Sequence, residues 1–117
     1  MLIRLLLIKL ISLFLCTSVL AEDVYIIHKN YGNTHSKWKN RLEEAGHTVT
    51  SSQNTLSDYS SYEQVIDLRY LNADTFSSDN YKAVLQNGGT IVLNGENNNT
   101  VFRTRNTAIQ DFIRDVT

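Results

Sequence analysis

The chain has 117 residues, and its 11 Lys or Arg against 12 Asp or Glu give a formal net charge of −1 at pH 7. This length allows one domain at most. Because the sequence contains no basic patch or run that could neutralise phosphates, it excludes a nucleic-acid binder.

The first 21 residues have the layout of a secretory signal peptide. A short basic start precedes the apolar stretch Leu10–Leu20, and Ala21 closes a suitable cleavage site. We therefore predict that this segment is removed and that residues 22–117 are secreted or periplasmic. An uncleaved membrane anchor is the alternative, although the segment is short for a span of about 20 apolar residues and carries Lys9.

The only cysteine, Cys16, lies within the predicted signal. Disulfides, thiolate catalysis and cysteine-ligated metals are therefore excluded for residues 22–117. An exported domain of this size without disulfides depends on its core alone, and small domains bury a modest fraction of their surface. We therefore expect extra contacts from an oligomer or from further sequence, with this chain as the N-terminal part of a longer protein.

Hydrophobic periodicity predicts strands that alternate with helices. The order β-α-β-β-α-β-α indicates an α/β fold with a mainly parallel sheet. Right-handed crossovers then favour a three-layer, flavodoxin-like sandwich, which is incomplete if a fifth strand is missing. The predicted strands are Val24–Ile27, His47–Ser51 near an edge, Val65–Leu68 and Thr90–Leu93, and the predicted helices are Lys37–Ala45, Ser77 or Ser78 to Gln86, and Thr104 or Asn106 onward.

Helix signals support these boundaries. Ser36 is expected to cap the first helix, whose Trp38 and Leu42 share its inward face. Gly46 is expected to end that helix, and Gly88 is expected to end the second helix in the left-handed conformation.

Ligands in open α/β sheets bind beyond the carboxyl ends of the strands, so the loops there hold the candidate site. A helix N-terminus after the first strand can offer backbone amides to a phosphate or carboxylate. The candidate ligand-binding residues are Asn30, Asn33, Thr34 and His35 after the first strand and Asn94, Glu96 and Asn97 after the fourth.

Two further arrangements concern ionisable residues. Glu96 can act as a base or nucleophile with help from His28 or His35, which would make the protein a hydrolase. No local histidine spacing supports a metal site, and solvated loop histidines are the simpler interpretation. Asp67 within a buried strand needs a partner, and Arg69 two residues on points the same way, so we expect a structural pair.

The segment Gly32-Asn33-Thr34 resembles the phosphate loop of flavodoxins. The resemblance implies a phosphate or flavin binder that uses Asn33, Thr34 and Ser36. The run of Ser and Thr that precedes the glycine in those loops is missing here. A polar loop with a helix cap is the alternative interpretation.

The strand at Gln64–Tyr70, the helix that ends in Gly88-Gly89, and the strand leading into an elbow at Asn94–Asn97 resemble the class I glutamine amidotransferase-like superfamily, including its divergent secreted members of the trehalose-utilisation type. The resemblance spans residues 23–117 and implies a nucleophilic cysteine at the elbow, an oxyanion hole beside it, and a later histidine and acid. Here Glu96 and Asn97 stand at the elbow, and no histidine follows His47. The resemblance thus implies the fold and its edge pocket without amidotransferase activity.

The sequence therefore favours an exported, non-catalytic α/β domain that binds a small polar ligand or another protein module. No catalytic residue, cofactor or metal is predicted. Hydrolysis by Glu96 and flavodoxin-like phosphate or flavin binding stay open as alternatives. Contact with a membrane is expected only if the N-terminal segment is uncleaved.

Overall fold

A computed structural model describes residues 20–29 and 32–117. The predicted signal peptide up to residue 19 and the candidate ligand residue Asn30 lie outside these ranges. The elements occur in the predicted order. They are β1 (Asp23–Ile27), α1 (Thr34–Glu44), β2 (Thr48–Ser52), β3 (Gln64–Asp67), α2 (Ser78–Gln86), β4 (Thr90–Leu93) and α3 (Thr100–Val116).

The four strands form one parallel sheet in the order β2-β1-β3-β4, which confirms the predicted α/β class and the edge position of β2. The chain runs outward from β1 to β2 and then returns to β3 on the other side of β1. The strand order therefore switches between β1 and β3. In open α/β sheets the carboxyl ends of the strands at such a switch form the ligand crevice.

Alternate side chains of the strands enter two separate cores. On one face, Tyr25 and Val65 pack with Tyr81 of α2 and Phe112 of α3. On the other face, Ile26 and its neighbours Val24 and Ile66 pack with Leu42 of α1. The molecule is thus a three-layer sandwich with α2 and α3 on one face and α1 on the other.

Coverage of the second face is uneven. The helix α1 packs over β2 and β1, whereas α2 and α3 lie on the opposite face. Leu68 after β3 and Val92 of β4 point to the α1 face and stay partly exposed. A shallow apolar surface therefore lies beside α1 at this end of the sheet.

The first helix begins earlier than predicted. Its N-cap is Asn33, whose carbonyl accepts the first helical hydrogen bond from the Lys37 amide at 3.1 Å. The prediction that Ser36 caps the helix is therefore wrong, and Ser36 lies within its first turn. Competing polar residues at successive positions made the start ambiguous, because each of them can cap a helix.

The last helix begins at Thr100 instead of Thr104 or Asn106, with Asn99 as its N-cap. A distant side chain explains the difference. Asn72 Nδ2 donates to the Thr100 carbonyl at 2.6 Å, and Asn72 Oδ1 accepts from the Thr104 amide at 2.9 Å. The early turn is thus held by a residue in the loop after β3, which a local capping pattern does not reveal.

The Gly88-Gly89 pair serves two different purposes. Gly88 has φ of +81° and ends α2 in the predicted left-handed conformation. At Gly89, a Cβ atom would lie 2.6 Å from the Glu63 carbonyl oxygen. Only glycine allows the chain to enter β4 this close to the start of β3.

Membrane insertion was predicted only for an uncleaved N-terminal segment. Among residues 20–29 and 32–117, none of the helices has the length and apolar character needed to cross a bilayer.

Candidate ligand-binding pocket at the carboxyl edge of the sheet

A pocket of about 380 Å³ opens at the strand-order switch, between the loops after β1, β3 and β4 and the first turns of α1. Its size lies within the range of small-molecule sites, roughly 300–1,000 Å³. Its lining contains both polar residues and apolar or aromatic ones. The polar residues are His28, Lys29, Thr34, His35, Asn94 and Glu96, and the others are Trp38, Leu68, Tyr70, Val92 and Leu93.

Two stacked imidazole rings form one wall of the pocket. His28 and His35 lie parallel, with 3.8 Å between ring centroids and 3° between ring planes. His28 is only 9% exposed, and its Nδ1 is buried without a hydrogen-bond partner in the described part of the chain. Leaving a buried polar atom unsatisfied costs about 1–3 kcal/mol. A ligand that bonds to this nitrogen would recover that energy.

The environment of His28 favours its uncharged form. Burial lowers the pKa of His28 first, and the neighbouring His35 lowers it further, while an interaction with the Lys29 backbone offsets only part of the effect. Two positive charges at once are unfavourable in this stack, because the rings are in contact. A bound anion would reverse the balance, because opposite charge favours protonated imidazole.

The N-terminus of α1 lies beside the histidine pair. Thr34 and His35 are its first two residues and line the pocket. The Asn33 side chain makes no capping hydrogen bond, and the first turn contains no acidic residue. Among the described residues, the Asn33 side chain therefore leaves the amides of this helix start uncapped, and the helix dipole favours an anion there.

The loop after β4 forms the opposite side. The Asn94 amide donates to the Asp67 carbonyl at 3.0 Å, and Asn94 Nδ2 donates to the Leu68 carbonyl at 3.0 Å. Asn106 of α3 fixes the next turn, since its Oδ1 accepts from the Glu96 amide and its Nδ2 donates to the Glu96 carbonyl at 2.8 Å. The backbone that carries Glu96 is thus anchored at both ends.

The carboxylate of Glu96 is exposed and has few partners. It accepts one long hydrogen bond, 3.3 Å from the Asn97 amide. Within the described residues, no cation lies within 4.0 Å of it, and neither His28 nor His35 forms an ion pair with it. The hydrogen-bonded acid–base pair that a Glu96 hydrolase needs is not formed in this arrangement.

A buried charge network lies beneath the pocket. Asp67 accepts hydrogen bonds from Arg69 Nε and Nη2, both at 2.8 Å, and from the Tyr81 hydroxyl at 2.8 Å. Burial opposes the charge of Arg69, but the hydrogen bond and charge of Asp67 raise its pKa. The predicted structural pairing of Asp67 with Arg69 is present, so Asp67 is occupied and not available for catalysis.

Arg105 joins α3 to this network. It is 2% exposed, its Nη1 donates to the Asp74 carbonyl at 2.7 Å, and its Nη2 lies 3.3 Å from Asp67 Oδ2. The spacing of α3 predicted an apolar inward face, and Arg105 shares that face because it lies four residues before Ile109 and seven before Phe112. The local sequence does not show the carboxylate that Arg105 meets there. Its partners come from β3 and the loop that follows it.

Lys29 connects the network to the pocket wall. Its Nζ lies 2.6 Å from Asp74 Oδ1, while Asp74 Oδ2 accepts from the Leu71 amide at 2.9 Å. Burial alone would raise the pKa of Asp74, but the hydrogen bonds from Lys29 and from Leu71 hold it below its ordinary value. Lys29 remains 38% exposed and is therefore a partly neutralised cation at the pocket.

The structure brings together several of the predicted site residues. Thr34, His35, Asn94 and Glu96 all line the pocket. Asn33 and Asn97 do not line it. Asn33 is the N-cap of α1, and Asn97 Oδ1 accepts from the Asn99 amide within the loop. No group of three or more metal-ligating side chains occurs in the part of the chain that the structure describes.

The lining residues that were missed as site residues include Trp38, Tyr70 and Lys29. Trp38 was placed on the inward face of α1, but it is 38% exposed at the mouth of the pocket. It lies one turn after Thr34, a spacing that signals a shared helix face. Tyr70 follows Leu68 with strand-like alternation, which is a usable signal. Lys29 carried no signal, since its carboxylate partner lies far along the chain.

Comparisons with known proteins give no name to this architecture. No family model matches the chain, and no curated protein or solved structure matches it either.

Proposed function

We propose that this protein is an exported, non-catalytic α/β domain that binds a small polar ligand with an anionic group in the pocket at the strand-order switch. One observation carries the proposal. His28, whose buried Nδ1 has no partner among the described residues, lines a pocket that also contains Lys29 and a helix N-terminus whose N-cap Asn33 makes no side-chain capping bond. The signal-like sequence supports export, and the missing cysteine supports a non-catalytic role.

The resemblance to the amidotransferase-like superfamily is compatible with this proposal. That superfamily uses the same edge of the sheet, and the present chain carries Glu96 and Asn97 where the nucleophile is expected. Residues 94–99 separate β4 from α3, so the connection is a loop instead of a sharp elbow. Binding without acyl transfer accounts for both features.

The alternatives have less support. The hydrolase hypothesis needs Glu96 beside a histidine, and the nearest contact of its carboxylate is the Asn97 amide. The flavin hypothesis names Asn33, Thr34 and Ser36, of which only Thr34 lines the pocket. A partner protein is the other possible occupant.

The three histidines offer a direct test by side-chain NMR. We would follow the imidazole signals through a pH titration, with and without acetate. Binding of the anion should raise the apparent pKa values of the stacked pair, because the carboxylate favours their protonated forms. His47 lies before β2, where its Nδ1 accepts from the Glu22 amide, and serves as an internal control.

The expected outcome is a shift of His28 and His35 with His47 unchanged. An equal shift of all three histidines would indicate general screening by salt and would contradict the proposal. Unchanged titration of all three would likewise contradict the proposal. His35→Asn should weaken acetate binding, whereas His47→Asn should leave it unchanged.

A further inference from the structure

The pocket combines the start of α1, an apolar floor and the Glu96 carboxylate, which has no cation within 4.0 Å among the described residues. We infer that its ligand is a small amphoteric molecule with a flat apolar body, of which phenylalanine is a simple representative. This inference rests on the proposed function and adds the ligand's second charge and its shape.

The anionic group of the ligand belongs at the start of α1. Amides of the first turn are uncapped there, and His28 Nδ1 lacks a partner within the described chain. Lys29 adds a cation whose charge is only partly offset by Asp74. A carboxylate can accept hydrogen bonds from all three kinds of group. Hydrogen bonds to a charged carboxylate are stronger than those between neutral groups.

The cationic group belongs beside Glu96 and Asn94. Asp67 and Asp74 already pair with arginine and lysine, whereas Glu96 has no cation within 4.0 Å among the described residues. Asn94 uses its Nδ2 on the Leu68 carbonyl, so its Oδ1 can accept a further bond. An ammonium needs three acceptors, and Glu96 with Asn94 supplies oxygen atoms on the same anchored loop.

The flat body of the ligand lies against the apolar and aromatic part of the lining. Trp38 of α1 forms one side, and the partly exposed Leu68 and Val92 form the floor where α1 does not cover the sheet. Tyr70 adds a second aromatic ring to the lining. A flat ring can stack on these side chains and remove apolar surface from water, which favours an aromatic body over a polar one.

The chain contains a built-in reporter for this test. Trp38 is the only tryptophan, and it lines the pocket, so selective excitation of tryptophan monitors the site directly. Four probes separate the contributions: phenylalanine, 3-phenylpropionate without the ammonium, phenethylamine without the carboxylate, and glycine without the ring. Phenylalanine itself does not absorb where tryptophan is excited.

We expect phenylalanine to bind about tenfold more tightly than each of the other three probes, as one charged hydrogen bond or one buried ring is worth roughly that factor. In Glu96→Gln, the affinity for phenylalanine should fall to that of 3-phenylpropionate, whose own affinity should not fall. Glu44→Gln, at the far end of α1, is the matched control and should bind all probes like the wild type.

The outcomes separate this inference from the proposed function. If 3-phenylpropionate binds as tightly as phenylalanine and Glu96→Gln has no effect, the amphoteric ligand is wrong while anion binding stands. Equal loss of both probes in Glu96→Gln would show that Glu96 only maintains the loop, which also overturns the inference. If no probe changes Trp38 fluorescence and acetate leaves the histidines unchanged, both proposals fail.

Discussion

His28 has a demanding environment for a histidine. Its ring is almost fully buried, lies against His35, and has a nitrogen without a partner in the described part of the chain. Burial and the neighbouring His35 disfavour a proton on this ring, and the hydrogen bond with the Lys29 backbone offsets only part of that effect. The folded protein therefore holds the His28 imidazole neutral, and acid should act on stability through this residue.

Stability should fall as pH decreases below about 6.5. The unfolded chain binds a proton on His28 near its ordinary pKa of 6.5, whereas burial and His35 lower the pKa in the folded state. The free energy of unfolding is therefore highest above pH 6.5, where His28 is neutral in both states. It decreases as pH falls through and below that value, because the unfolded state then gains a proton that the folded state resists. Urea unfolding at pH 7.5 and pH 5.5 measures this change in the free energy of unfolding. His28→Asn should reduce the difference, and His47→Asn should retain it; an unchanged pH dependence in His28→Asn would contradict the assignment.

Arg105 and Arg103 provide a matched pair on the same helix. Arg105→Ala removes hydrogen bonds to Asp74 and leaves Asp67 with one charge partner fewer, so we expect a loss of about 3–5 kcal/mol. Arg103 is exposed and its Nη2 donates to the Asn98 carbonyl at 3.3 Å, so Arg103→Ala should change stability by less than about 0.5 kcal/mol. Urea unfolding distinguishes the two, and similar losses in both variants would rule out a buried network at Arg105.

At the scale of elements, the starts of α1 and α2 differ in what they can bind. Ser77 Oγ caps α2 by accepting from the Asn80 amide, and Asp79 lies in its first turn. The start of α1 has neither feature. Both helices adjoin a pocket, about 370 Å³ in the case of α2. The Ser77 cap and Asp79 already offset the positive end of the α2 dipole, so we expect an anion to bind at the start of α1 instead.

The start of α3 depends on Asn72. Asn72→Ala removes the bridge between the Thr100 carbonyl and the Thr104 amide, so the first turn of α3 should fray. The expected cost is about 1 kcal/mol, similar to the loss of an N-cap. Hydrogen exchange at residues 100–105 should accelerate, while exchange in β1 should follow only the global change. Asn98→Ala, on the exposed loop, is the control, and equal exchange in the two variants would show that Asn72 does not hold this turn.

Much of the element pattern was predictable because it depends on local chemistry. Compact apolar runs located β1, β3 and β4, and glycine located the end of α2. The starts of α1 and α3 were not predictable, for two reasons. Several adjacent polar residues can each cap α1, and the first turn of α3 is held by Asn72 from a different loop. Capping by distant residues leaves no trace in the local sequence.

At the scale of the whole molecule, strand order determines the site. The switch between β1 and β3 brings together loops that are about 40 residues apart in the chain, His28 from one and Tyr70 from the other. The alternation of strands and helices predicted a parallel sheet, and general topology predicted ligands at its carboxyl edge. That reasoning identified Thr34, His35, Asn94 and Glu96.

The remainder of the site required three-dimensional packing. The stacking of His28 on His35 and the pairing of Lys29 with Asp74 join residues from separate loops. The apolar floor arises because α1 lies over β2 and β1, which leaves Leu68 and Val92 partly open. Periodicity shows that a residue faces the core, but it does not show which helix covers that residue.

The central claim is that the pocket at the strand-order switch binds the ligand. Amide chemical-shift mapping of the whole protein during a titration with acetate tests it most directly. We predict that the largest perturbations occur at residues 32–36 of the α1 start and 94–96 of the loop after β4. The largest perturbations at residues 77–80 of the α2 start, or no localised perturbation at all, would contradict the claim.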